Sequence, residues 1–190
     1  MNNKLILTDC DGVLLDWENA FHEWMESNGF IAQEGQYSYD MHVRFGMQKH
    51  HVKELIREFN ECAWMCCLNP FKDAVEGVYA LAAKGYRFGA ITSLSLDPYA
   101  AKLREQNLMM YFGDVFDFVV CLDTGADKDE ALAPYKDSGL YWIEDKPENA
   151  ALGAKLGLKT LLIKHQHNAD FVCDGVKSVD NWAQIVEIIS

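Results

Sequence analysis

No apolar run in this sequence approaches the roughly 18 residues of a membrane-spanning helix, so no membrane partner is expected. The first ten residues, MNNKLILTDC, hold too short an apolar run, with the wrong flanks, for a secretory signal. Basic residues are scarce. Only 17 Lys and Arg stand against 29 Asp and Glu, a formal net charge of −12. That balance argues against a nucleic-acid polymer as partner, because such interfaces rest on basic surface. It leaves room for a small phosphorylated substrate where a metal and a lysine reverse the local field. The six cysteines (Cys10, Cys62, Cys66, Cys67, Cys121, Cys173) follow no framework spacing and read as reduced thiols of a cytoplasmic protein. Cys62, Cys66 and Cys67, with His50 and His51 upstream, lack the spacing of a zinc ligand set. Internal repeats and low-complexity tracts are also missing.

What is present is an ordinary globular composition, 49% hydrophobic and 24% charged over 190 residues. A chain of this length can bury roughly 70% of its unfolded surface without staples. Five apolar runs read as strands: residues 4–8, 86–92, 116–121, 140–144 and 159–163. Helical patterns lie between most of them. Val75, Val78, Leu81 and Ala82 share a face ahead of a Gly85 cap. Asp97-Pro98 opens a helix through about Gln106, and PENAALGAKLG repeats the Pro-to-Gly pattern. Asp180 is expected to cap a last helix burying Trp182, Ile185, Val186 and Ile189. This alternation predicts an α/β fold, a doubly wound parallel sheet whose ligands bind beyond the carboxyl ends of its strands.

Residues 17–72 break the alternation. Segments 18–28 and about 48–66 are helical in pattern, with Val52, Leu55, Ile56 and Phe59 on one face, and GFIAQEGQYSYD between them is loop-like. The segment reads as a small helical insertion after the first strand, hinged near Asp16 and Asn69-Pro70, lying over the carboxyl edge as a lid.

Three polar clusters fall on that edge: Asp9 and Asp11 after the first strand, Thr92-Ser93 after the second, and Glu144-Asp145 after the fourth. Two carboxylates at the end of a buried strand repel each other and call for a cation. Phosphoryl transfer to a carboxylate needs an in-line nucleophile, a cation on the phosphoryl oxygens and a proton donor for the leaving oxygen. Asp9, held by the strand, suits the nucleophile; Asp11, at the turn, suits the general acid and then base. Asp9, the Asp11 backbone carbonyl and Asp145 suit Mg²⁺, with Glu144 direct or through a water. Thr92, the Ser93 N–H and Lys128 suit the phosphoryl oxygens.

In order, these clusters resemble the four motifs of the haloacid dehalogenase superfamily, in its Mg²⁺-dependent phosphatase branch. That family's DxDG motif is matched by DCDGV at Asp9, Asp11 and Gly12, its Ser/Thr motif by Thr92 in FGAITSLS, its lysine by Lys128 in GADKDEAL, and its acidic pair by Glu144 and Asp145 in YWIEDKPENA. The similarity spans residues 4–17 and about 70–165. It implies a Rossmann-like core, an aspartyl-phosphate intermediate and hydrolysis of small phosphomonoesters. Family members that act as dehalogenases lack an acid at the position of Asp11. The insertion is similar to the family's helical C1 cap, which divides the chain into a core of residues 1–16 and 73–190 and a cap of 17–72. DGVLLDW is also similar to the DGVLxDF of the deoxyribonucleotidase group, whose aromatic at the place of Trp17 lines a nucleobase pocket. A nucleoside monophosphate is therefore the alternative substrate. Thr92-Ser93-Leu94 departs from that group's Thr-Ser-Pro, and Lys136 competes with Lys128 because it is closer to the acidic pair. Lys128 is preferred because it follows an Asp/Gly loop.

A regulatory phosphoacceptor module is the alternative of another class. Receiver domains also combine acids, a Thr and a Lys, but place the acceptor on a later strand and lack an insertion after the first. His165 and His167 read as a surface loop, and Asp16 as a helix cap.

Overall fold

The computed structural model describes residues 4–33, 35 and 38–190. Positions 1–3 of the expected core and 34, 36 and 37 of the expected loop lie outside them. Six parallel strands form one sheet: β1 (Leu5–Thr8), β2 (Arg87–Ser93), β3 (Phe116–Leu122), β4 (Tyr141–Glu144), β5 (Lys159–Ile163) and β6 (Val176–Val179). Their order is β3-β2-β1-β4-β5-β6. The chain winds outward from β1 in one direction through β2 and β3, then in the other through β4, β5 and β6. This is the Rossmann-like α/β sheet expected, with one strand more. β6 is a four-residue edge strand reading VKSV, too short and too polar to stand out as an apolar run.

Side chains along each strand alternate between two apolar layers, as the period of a strand demands. Ile6, Phe88, Ala90 and Ile143 point into one, with α4 (Lys72–Ala83), α5 (Pro98–Phe112) and α8 (Trp182–Ile189) packed over them. Leu7, Ile91 and Trp142 point into the other, with Leu132 of α6 (Asp129–Leu132). α7 (Pro147–Lys155) leads from β4 to β5. A Cβ on Gly77 of α4 would fall 2.7 Å from the Trp182 ring, so glycine permits α4 and α8 to close together. α8 is capped by Asn181, whose Oδ1 accepts from the Gln184 N–H at 3.0 Å, and not by Asp180 as expected. α5 outruns its expected end at Gln106 because Leu108 and Phe112 are buried, and Gly113 (φ 67°) stops it.

Between β1 and α4 lie α1 (Trp17–Ser27), α2 (Met41–Arg44) and α3 (Lys49–Glu61), then a 3₁₀ turn at Ala63–Cys66. The expected helix over 48–66 breaks at Cys62, whose backbone is extended. Asp16 caps α1 as expected, its Oδ1 accepting from Asn19 N–H. The insertion leaves and returns through adjoining chain: Asp16 N–H donates to Asn69 O at 2.9 Å and Phe71 N–H to Leu14 O at 3.0 Å. Phe21, Trp24, Val52, Leu55 and Phe59 continue the first apolar layer into these helices. Among the described residues no helix is long and apolar enough to cross a membrane.

Candidate active site

β1 is the switch point of the sheet, and ligands of such sheets bind beyond the strand ends there. Asp9 follows β1 directly, and its N–H donates to Ile143 O of β4 at 2.9 Å, extending the ladder by one residue. Its carboxylate is therefore fixed by strand pairing. One oxygen accepts from Cys10 N–H at 2.7 Å and the other lies 2.6 Å from Lys128 Nζ. Gly12, at φ 75°, turns the chain away, and a Cβ there would run into the Asp145 carboxylate.

Lys128 stands at the start of α6 with its side chain 1% exposed. Its ammonium bridges Asp9 and Glu144 Oε2, the latter at 2.9 Å, over the Trp142 ring. The exposed Lys136 lies apart from this cluster, so the structure brings Lys128, not its competitor, to the acids. Glu144 is fully buried, and its second oxygen accepts from the Asp145 and Lys146 N–H groups. Burial pushes its carboxyl up to about 7, with Lys128 opposing. Asp145 is raised well above the ordinary carboxylate range by burial and by the charges of Glu144 and Asp9.

Asp9, Glu144 and Asp145 bring ligand atoms within 4.8 Å of one another. Three acids around one lysine leave an excess of negative charge, and their hard oxygen donors fit a divalent cation such as Mg²⁺. Asp11's carboxylate stands outside this group. It faces Arg104 of α5, with Nη1 2.7 Å from Oδ1 and Nη2 3.0 Å from Oδ2. Burial raises the Asp11 carboxyl, and the guanidinium opposes that rise.

Thr92, at the end of β2, is 1% exposed, and its Oγ1 has no hydrogen-bond partner among the described residues. A buried hydroxyl left this way costs stability, which suits a position completed by a ligand. The Ser93 hydroxyl is engaged, donating to Ala126 O at 2.8 Å and so fixing the loop that carries Lys128. Asp9, Asp11, Thr92, Lys128, Asp145 and Trp17 all line one cavity of about 640 Å³. Glu144 lies beneath it.

Trp17 stacks on Phe21 at 4.9 Å between centroids, so one ring face is taken, and its Nε1–H donates to Asn60 Oδ1 at 2.9 Å. Asn60 in turn donates to Leu94 O, tying α3 to the loop after β2. His165 and His167 are not the surface loop expected from the sequence. Both line the cavity; His165 Nε2 lies 2.7 Å from Gly12 O, and His167 stacks on Tyr39 at 3.9 Å. The sequence reading also missed Arg104 and Asn60. Their signal was faint: each is a polar residue one turn from apolar ones on its helix, Arg104 from both Ala100 and Leu108, Asn60 from Ile56.

No family model matches the chain, and no curated protein matches its sequence. Solved structures do match its fold. A HAD phosphatase from Thermococcus onnurineus is 15% identical, with a TM-score of 0.62 and 98% of each chain covered. An L-2-haloacid dehalogenase is 14% identical, with a TM-score of 0.62, covering 98% of this chain and 99% of its own. Protein Tyrosine Kinase A of Mycobacterium tuberculosis is 17% identical, with a TM-score of 0.71 and 98% of each chain covered. The chain thus shares the fold of these solved structures. A phosphatase, a dehalogenase and a kinase share it, so the reaction has to be argued from the side chains.

Proposed function

We propose that this protein is a Mg²⁺-dependent phosphomonoesterase of the haloacid dehalogenase superfamily, acting on a small phosphorylated metabolite. The observation that carries the reading is the arrangement at the switch point: a strand-fixed Asp9, a buried lysine on its carboxylate and an unpartnered Thr92 hydroxyl beside an acid-rich cluster. Asp9 attacks phosphorus, and the bond from phosphorus to the ester oxygen breaks as the Asp9–phosphorus bond forms. Asp11 gives its proton to the leaving alcohol and takes one from the water that hydrolyses the aspartyl phosphate, a role typically worth about 10²–10⁴-fold. Thr92, the Ser93 N–H and Lys128 hold the phosphoryl oxygens. Mg²⁺ on Asp9, Asp145 and the Asp11 carbonyl supplies positive charge against those oxygens when bound. Glu144, whose oxygens already accept from Lys128 and two backbone N–H groups, serves as the anchor of that lysine.

Residues 17–72 form the cap in this reading, and a cytoplasmic location goes with it. The place of Trp17 on the cavity wall favours a nucleoside monophosphate as the second reading, with the base against the part of the indole that lines the cavity, away from Phe21 and Phe59. The test is phosphate release from p-nitrophenyl phosphate and from a nucleotide panel, with and without Mg²⁺. Turnover is expected to need Mg²⁺ and to collapse in D9N and in D11N. Activity surviving both substitutions overturns the assignment. A phosphoenzyme that persists for hours would instead support a phosphoacceptor module.

A further inference from the structure

Arg104 takes no part in the mechanism above. It sits inside α5, fully buried, and it does not line the cavity, so substrate cannot reach it. A buried guanidinium is costly to desolvate and is kept only where its partners justify it. Its contacts are few. Both terminal nitrogens face the two oxygens of Asp11, and Nη2 also lies 3.0 Å from the Met65 sulfur. Nη2 alone donates a hydrogen bond to Asp11, Nη1 meets Oδ1 as an ion pair without hydrogen-bond geometry, Nε has no hydrogen-bond partner, and none of the donors reaches a backbone carbonyl among the described residues. An arginine that staples a fold spreads its five donors over carbonyl oxygens; this one is spent on a single carboxylate.

That carboxylate is 23% exposed and lines the cavity on its other side. The rigid guanidinium holds that carboxylate at two points, by the ion pair of Nη1 with Oδ1 and the hydrogen bond from Nη2 to Oδ2. The other cation whose charge reaches Asp11 is Lys128, already shared by Asp9 and Glu144. Without Arg104, then, Asp11 would be repelled by Asp9 and would compete for the lysine that holds the nucleophile. α5 is itself fixed nearby: Asn107, one turn on, donates to Leu68 O at 2.9 Å, clamping the chain that returns from the insertion.

We infer that Arg104 is a positioning residue for Asp11, seated behind the carboxylate and fixing the direction from which Asp11 exchanges its proton with the leaving oxygen and the incoming water. The inference rests on the phosphatase reading. It is tested by a cycle of R104M, R104K, D11N and the R104M/D11N double variant, with kcat and KM measured separately in Mg²⁺ and folding followed by circular dichroism. R104M is expected to lower kcat by on the order of 10²-fold, within the range of general acid–base catalysis, while KM changes less than about threefold. The loss should be larger for phenyl phosphate than for p-nitrophenyl phosphate, whose leaving oxygen needs the proton less. R104K, which keeps the charge but not the fork, should recover part of the loss. In the D11N background R104M should cost less than about threefold, because the partner it acts through is gone. Equal losses in both backgrounds, or an unchanged kcat in folded R104M, overturn the inference and leave the phosphatase reading standing. An unchanged kcat in D11N overturns the role of Asp11 and this inference with it. If R104M fails to fold, R104K in the two backgrounds decides by the same criterion.

Discussion

Lys128 ties the nucleophile end of β1 to the acidic end of β4, and removing its charge tests how the site is held. In K128M the side chain keeps roughly its length, so little cavity forms and the change isolates the ammonium. Two ion pairs, at 2.6 and 2.9 Å, disappear from a group that is 1% exposed. Breaking a buried pair by deleting one partner costs about 3–5 kcal/mol, because the charge left behind has no compensation. For a domain of this size about 2–4 °C of melting temperature goes with each kcal/mol, so a fall of about 6–20 °C is expected. The pH dependence carries a sign. Glu144 is pushed up to about 7 by burial even while Lys128 opposes the rise, so deleting the lysine raises it further. A carboxyl raised in the folded state favours folding at low pH and loses that contribution as pH climbs through its folded value. The deficit of K128M against the parent should therefore be small near pH 5 and widen towards pH 8. Thermal melts in metal-free buffer at both pH values measure it. A shift under about 3 °C at pH 8, or a larger deficit at pH 5, would refute the reasoning, since either means that the buried acids do not depend on the ammonium.

Three further outcomes follow from the geometry. G12A forces alanine into the left-handed region, at a cost of about 1–2 kcal/mol, and presses on Asp145; it should melt lower and need more Mg²⁺ for half-maximal turnover. N60A leaves the Trp17 indole N–H and the Leu94 carbonyl without the side chain that joins them, at about 1–3 kcal/mol, and should raise KM more than it lowers kcat. In a thiol titration of the native protein the exposed Cys67 should react first, and Cys10, buried with its thiol pushed far up, only on unfolding.

The parts of the site that end strands were legible. Asp9, Thr92 and Glu144-Asp145 each close an apolar run, and a change from apolar to acidic or hydroxyl at that point is a local signal. Lys128 could be chosen over Lys136 only from its loop, and the structure supplies the reason: that loop is fixed by Ser93 and delivers the ammonium under Asp9. Arg104, Asn60 and the histidine pair were not legible, because their meaning lies in partners 93, 34 and 153 residues away in sequence, Asp11, Leu94 and Gly12. Single polar residues one turn from apolar ones flag such contacts without naming them. The edge strand β6 was missed for a different reason: Lys177 and Ser178 interrupt its two valines and only Val179 is buried, so no apolar run forms. Asn181 displaced Asp180 as the cap of α8 because the two neighbours have the same chemistry and only the backbone at that corner separates them.

The segments that flank the insertion touch, Leu15 bridging Pro70 antiparallel, with the two backbone hydrogen bonds on either side of that pair. In terms of chain topology the insertion is a hairpin loop that happens to contain three helices. The ends of such a loop are already joined, so the entropy of closing it grows only slowly with its length, by about 0.6 kcal/mol per doubling. The joined ends therefore set little entropic limit on the length of the insert. What limits its composition is the apolar layer it shares with the core, where Phe21, Phe59 and Met65 pack in one cluster with Ile6 and Leu103, so a change of cover has to keep that seam while the cavity wall above it varies.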